Sequence, residues 1–324
     1  MVEALPLLAH DVFAPADVVE GRELPPVIIA HGLYGSGRNW ASIARKLAAS
    51  GRRVILPDMR NHGRSFRHPV HDYPALADDL ARLVDHAGGR ADVVGHSMGG
   101  KAAMVLALRH PGKVRRLAVI DIAPVAYDRT RMPIIEALRA VDLDKVHRRR
   151  DAEALLAAHI DDPALRSFLL HALDLGGDRP RWRLDLDALA ANMDVIMGFP
   201  SGDEIAGRSE TAGMGDAPDV TAVPGAAEAV DASRTAGSSG TTGAPAATGA
   251  RFAGPVLFLR GQRSDYVLSG HVPRIRHLFP RAIVATIKGA GHWLHAERPQ
   301  ETAEALTAFL GRMPLAAGDP ATEE

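Results

Sequence analysis

Gly95-His96-Ser97-Met98-Gly99 sets a serine between two glycines, directly after the apolar run 92–94 and at the start of a helical pattern over 98–109. On a sharp strand-to-helix turn, side chains at the flanking positions would clash with neighbouring strands. The same turn lifts the hydroxyl clear of the sheet beside a helix N-terminus, where anionic species are favoured. A serine hydroxyl is a weak nucleophile until a positioned imidazole takes its proton, so a histidine must arrive from elsewhere in the chain. His292, in Gly289-Ala290-Gly291-His292-Trp293, follows the last apolar run and is the expected base. His295 is its rival, but it lacks the Gly-Ala-Gly loop and reads as a supporting or helix-entry residue. A serine and a histidine of this kind perform acyl transfer through a covalent serine ester.

Two further groups are needed, a pair of oxyanion donors and an acid. Residues 31–35, His-Gly-Leu-Tyr-Gly, follow the apolar run 27–30. The amides of Leu33 and Met98 are the expected donors to the developing oxyanion, each worth about 3 kcal/mol in the transition state. Tyr34, Trp293 and Trp182 are candidate pocket residues, Trp182 reading equally well as a core anchor. The order serine, acid, histidine leaves two places for the acid. One is the loop 261–266, where Ser264 stands in the usual slot and Asp265 one step later. The other is Asp121, which ends the apolar run 117–120. Either carboxylate could instead cap a turn, and spacing leaves both open.

The elements that must position these groups follow from periodicity. Residues 27–30, 54–56, 92–94 and 117–120 read as buried strands, with helical patterns over 39–49, 75–86 and 98–109 between them. Such alternation predicts a mostly parallel sheet with helices on both faces. From 131 to 197 the pattern changes to helices without strands, over 134–141, 152–159, 164–173 and 186–196, which predicts a helical cap. Arg148, Arg149 and Arg150 read as a solvated turn within it. Residues 201–250 are rich in Ala, Gly, Ser, Thr and Pro, with no aromatic residue or Leu, and are expected to form a disordered insertion. Alternation resumes with strands over 256–259 and 283–287 and helices over 270–278 and 300–310. The chain thus divides into a core segment 1–125, a cap 126–200, the insertion 201–250, and a second core segment 251–324 with a flexible tail.

Taken together, these residues resemble the α/β-hydrolase superfamily, and within it the YbfF-type esterases and the abhydrolase domain-containing protein 11 group. The matching segments are residues 31–36, the Asp58-Met59-Arg60-Asn61-His62-Gly63 loop, 95–101, Asp121-Ile122-Ala123-Pro124-Val125, Trp182-Arg183 and 289–297. The resemblance implies an α/β-hydrolase fold that hydrolyses acyl esters without a cofactor and under a small helical cap; whether thioesters are also cleaved is left open. It also implies Asp121 as the acid and Ser264 as a supporting hydroxyl, although Asp265 beside that serine departs from the pattern. The 59–63 loop is expected to be a scaffold beneath the site, with Arg60 or Asn61 bonding backbone groups.

Composition narrows the alternatives. The 38 Lys and Arg nearly balance the 39 Asp and Glu, which gives no reason to expect a nucleic-acid partner or an anionic membrane surface. No run of about 18 apolar residues predicts a membrane span. Residues 1–15 show no basic stretch ahead of an apolar core and no small-residue cleavage site, so no export signal is expected from them, and a cytoplasmic location is the default expectation. With no cysteine, thiolate nucleophiles and cysteine metal sites are excluded. His68 and His71 lack a third obvious metal ligand. Dehalogenases and epoxide hydrolases need a carboxylate where Ser97 stands. Haloperoxidase-type and C–C hydrolases keep the serine, as does a small-molecule receptor, which slow single turnover would distinguish from an enzyme. The expected partner is a small acyl ester; oligomeric state and natural substrate are not legible.

Overall fold

The computed structural model describes residues 5–15, 24–207 and 250–311. Its frame is a seven-stranded sheet in the order β1-β3-β2-β4-β5-β8-β9. The strands are β1 (His10–Phe13), β2 (Val27–Ala30), β3 (Val54–Pro57), β4 (Ala91–His96), β5 (Val114–Ile120), β8 (Val256–Gly261) and β9 (Ala282–Ile287). β1 pairs antiparallel with β3 at one edge, and every other pairing is parallel. The sequence did not predict β1, a four-residue edge strand with no fully buried residue to give it a pattern.

Strand alternation divides the core into two layers. Ile28, Ala30, Val93 and Val119 face the layer formed with α2 (Tyr73–His86), α3 (Met98–Arg109) and the cap. Val27, Ile29, Val94 and Ile120 face α1 (Ala41–Ala49) and α12 (Pro299–Gly311). With both faces covered, β2, β3 and β4 are buried at every residue, which is why they read as unbroken apolar runs.

Between β5 and β8 lies the cap: α4 (Met132–Ala140), α5 (Arg149–Leu156), α6 (Pro163–Leu169), α7 (Leu186–Ala191), α8 (Met193–Met197) and α9 (Gly202–Ala206). Asp162 and Asp185 start α6 and α7 by accepting from the amides of Ala164 and Ala188. Two expectations are corrected here. The cap is not strand-free: β6 (Leu173–Asp174) and β7 (Arg181–Trp182) pair antiparallel, Leu173 facing Trp182. Strands of two residues are too short to show a period. Nor is the insertion without structure from residue 201. Ser201 and Glu204 form a reciprocal capping box that opens α9, and Ile205 is buried. The rest of the insertion expected to be disordered, 208–249, lies outside the described residues. Between β8 and β9 runs α10 (Val272–Leu278), and α11 (Leu294–Glu297) follows the His292 loop.

Candidate active site

β4 and β5 run in register, pairing His96 with Ile120, so the next residues, Ser97 and Asp121, leave the sheet side by side. Both turn through left-handed backbone, with φ of 52° and 51°. Among the described non-glycine residues the only other positive φ values belong to Tyr34 and Asn61, in the two adjoining loops. Such conformations cost on the order of 1–3 kcal/mol each and persist where the surroundings over-determine them. At the serine the reason is visible. A Cβ on Gly95 would stand 2.3 Å from the Gly99 carbonyl oxygen, and one on Gly99 would stand 2.4 Å from that of Ala30 at the end of β2.

His292 lies between Asp121 and Ser97. Its Nδ1 is 2.8 Å from Asp121 Oδ2, and its Nε2 is 3.2 Å from Ser97 Oγ. Nδ1 facing a carboxylate must carry the proton and donate it, which leaves the Nε2 lone pair to accept from the serine hydroxyl. Asp121 is fully buried. Its Oδ1 accepts from the Gly261 amide at 2.9 Å, and its Oδ2 also accepts from the Ser264 hydroxyl. Tyr266 stacks on the His292 ring at 4.0 Å between centroids and fixes its plane. An imidazole held in this way can take a proton from Ser97 and be stabilised as a cation by Asp121.

The second carboxylate is elsewhere. Asp265 is 65% exposed and pairs with Arg129 at 2.9 Å, a bond that holds its carboxyl below the ordinary range. His295 also stands apart from the serine. It is buried, stacks on Trp40 at 4.4 Å, and is pulled down by burial to about 3.

Leu33, Tyr34, Met98 and Trp293 join Ser97 and His292 around a cavity of about 250 Å³, which Ile134, Leu165 and Phe168 of the cap close from above. Met98 is the first residue of α3, so its amide has no acceptor within the helix. Trp293 reaches the Phe168 ring at 5.7 Å. Trp182 is corrected: it does not line this cavity. Its indole Nε1 donates to the Leu138 carbonyl at 2.9 Å, and its ring packs against the cap core.

Several supporting residues escaped the sequence reading. His96, inside the serine pentapeptide, donates from Nε2 to the His292 carbonyl at 2.9 Å, and burial beside His292 keeps it neutral. Two more imidazoles shape the loop that carries Leu33. His31 donates to the Gly32 carbonyl and accepts the Met59 amide, at 2.8 and 2.9 Å. His62 donates to the Arg60 carbonyl and accepts the Tyr34 amide, at 2.9 and 3.2 Å. Burial depresses both, so each serves as a neutral donor–acceptor. The 59–63 loop is a scaffold of the expected kind: Arg60 bonds Asp79 and the Val70 and Ala75 carbonyls, while Asn61 bonds the His68 carbonyl and amide. Lys101 Nζ donates to the carbonyls of Met197 and Gly198, tying the end of α8 to α3; burial pulls it down to about 7. Nothing local in the sequence marks these roles beyond the M-R-N-H-G string. Among the described residues no cluster of three or more His, Asp or Glu could hold a metal ion, and no helix is long and apolar enough to cross a membrane.

A mostly parallel sheet, a serine at a strained elbow and a histidine arriving from the last loop define a class of fold and site. The chain belongs to the α/β-hydrolase fold family, whose profile matches residues 25–299. Within the family it is related to ABHD11 and the YbfF-type esterases. It is 36% identical over 295 residues to the sn-1-specific diacylglycerol lipase ABHD11 of Mus musculus, covering 89% of this chain and 81% of the lipase. It is 31% identical over 290 residues to esterase YbfF of Escherichia coli, covering 88% and 92%. A solved marine microorganism esterase superposes with a TM-score of 0.74 at 32% identity, covering 94% of this chain and all of that one.

Proposed function

We propose that this chain is a carboxylesterase-type serine hydrolase that cleaves carboxylic acyl esters, acylglycerols and thioesters among the candidates, through an acyl-enzyme on Ser97. The observation that carries the reading is the unbroken relay from Asp121 through His292 to Ser97, with steps of 2.8 and 3.2 Å, opening into a cavity walled largely by apolar side chains. In this reading His292 Nε2 takes the hydroxyl proton as Ser97 Oγ attacks the ester carbonyl. The amides of Leu33 and Met98 receive the oxyanion, and His292 returns the proton to the departing alcohol. Water, deprotonated by the same imidazole, then releases the acid. Asp121 holds the imidazole in the Nδ1–H tautomer, and Ser264 and the Gly261 amide hold Asp121. The named activities of the mouse lipase and the bacterial esterase support an ester substrate.

A second reading is transfer of the acyl group to an alcohol. It is favoured by a 33% identical relative from Saccharomyces cerevisiae, matched over 90% of this chain and named a probable alcohol acetyltransferase. Both readings share the acyl-enzyme. The test is Ser97→Ala with short p-nitrophenyl esters and a fluorophosphonate probe. We expect hydrolysis and labelling to vanish while the melting temperature holds. Hydrolysis that survives the substitution refutes the role of Ser97. Ester product formed in added ethanol would favour the transferase.

A further inference from the structure

Outside the cavity, where the 59–67 loop meets β7, a cleft of about 520 Å³ is lined by Arg38, Arg64, Arg67, Arg181 and Arg183, with no acidic residue in its wall. The chain as a whole is nearly neutral, so five guanidinium groups in one cleft do not follow from composition.

The five fall into two sets. Arg64 is held by Asp11 and Asp58 at 3.0 and 3.3 Å, while Arg181 and Arg183 share the buried Asp174 at 3.1 and 2.9 Å. None of these carboxylates lines the cleft. Arg38 and Arg67 form no ion pair with a described residue; the one hydrogen bond Arg67 makes there is to the Gly63 carbonyl at 3.5 Å. Partial desolvation of this surface side chain, together with the nearby Arg181, lowers Arg67 from its ordinary value, while Asp185 and Asp58 pull the other way. The frame beneath is fixed. The Gly63 amide donates to the Arg183 carbonyl at 2.7 Å and the Asp185 amide to that of Asn61 at 2.9 Å, so core loop and cap strand are sewn together.

The cleft also has a definite relation to Ser97. Tyr34 and Gly35 line the serine cavity on one side and, on the other, a narrow depression that they share with Arg38, Arg64, Arg183 and Asp58, the last already paired with Arg64. The loop that carries Leu33 is therefore the partition between the two.

We propose that this cleft binds a phosphate-type oxyanion, with Arg38 and Arg67 as its direct partners and the other three arginines as a fixed cationic surround. A planar guanidinium presents paired N–H donors that match two oxygens of a phosphate, and two such forks in one cleft suit a tetrahedral dianion better than a carboxylate. The phosphate is either borne on the alcohol part of an ester seated in the Ser97 cavity or free in solution. The first source rests on the hydrolase reading; binding itself does not.

The test uses inorganic pyrophosphate as the probe, titrated calorimetrically at low ionic strength into the full chain and into Arg38→Gln/Arg67→Gln. Both side chains are exposed, so the variant is expected to melt with the wild type. We expect pyrophosphate to bind the wild type and the double variant to bind it about tenfold more weakly or worse, the loss anticipated for hydrogen bonds to a charged group. No binding to the wild type, or equal binding to both, overturns the proposal. A second arm compares kcat/KM for a neutral ester and for one phosphorylated on its alcohol part. A loss in the variant confined to the phosphorylated ester identifies a substrate-borne phosphate. Equal rates on the two esters, with pyrophosphate binding retained, identify a free anion. Calorimetry reads binding without turnover, so failure of the hydrolase reading leaves the first arm intact.

Discussion

Asp92 and Asp121 sit at opposite ends of neighbouring strands, both completely buried, and they do different things. Asp92, near the start of β4, is clasped by Arg52 and by Arg115, whose Nε donates to Oδ1 at 2.7 Å. Its charge is already answered by permanent cations. Asp121, just past the end of β5, is held by an amide and a hydroxyl, and His292 is its one ion-pair partner among the described residues. An imidazole becomes a cation only after it has taken a proton, so the charge of Asp121 remains available to a reaction. A buried carboxylate by itself does not mark an active site; a partner that becomes charged only on taking a proton does.

Replacing each aspartate by its amide should separate the two roles. Asp121→Asn is expected to lower kcat on a short ester by about 10⁴, the size of the effect in a comparable triad, because an amide no longer holds the Nδ1–H tautomer. Its melting temperature should stay near that of the wild type. A loss of less than tenfold would undo the contrast. Asp92→Asn is expected to leave kcat of the folded protein unchanged and to cost about 3–5 kcal/mol in urea unfolding, since the buried Arg52 and the half-buried Arg115 lose their counterion. Full stability in that variant would show that Asp92 is no lock.

Neutral buried imidazoles sharpen the comparison at smaller scale. His295 sits at about 3 when folded, against an ordinary value of 6.5, and its Nδ1 has no hydrogen-bond partner among the described residues. Between those values the unfolded chain binds the extra proton, so stability present above pH 6.5 is lost as pH falls toward 3. His295→Phe, which keeps a ring against Trp40, should reduce the slope of unfolding free energy against pH below 6.5 by about 1.4 kcal/mol per pH unit. An unchanged slope would mean that His295 is not kept neutral. The smallest effect is expected at Asp265. Asp265→Asn breaks an exposed pair with Arg129, worth about 1 kcal/mol or less, and should leave kcat almost untouched. If that variant is crippled instead, the acid has been assigned to the wrong residue.

The serine elbow was legible because its demands are local: a strand, two positions without room for a side chain, and a helix within a few residues. The alternation of strands and helices, and with it the sheet, was legible for the same reason, since burial on both faces writes itself as apolar runs. The choice of acid was not, because it turns on the register of β5 with β8, and those two strands come from segments more than a hundred residues apart. Spacing left Asp121 and Asp265 level, and the resemblance favoured Asp121. The structure puts Asp121 2.8 Å from His292 and Asp265 at the surface.

The sequence by itself thus determined the setting of Ser97, the expected base and the class of sheet, all of which rest on steric and periodic rules acting along the chain. Only the tertiary structure decided that Trp182 anchors the cap core and stays out of the cavity, that 173–182 pairs as strands, and that three neutral histidines and Lys101 brace the site. It alone brought Arg38, Arg67 and Arg183 to one cleft from three separate segments. Contacts of this kind depend on which surfaces meet after the sheet and cap have folded, and no spacing along a single chain encodes them.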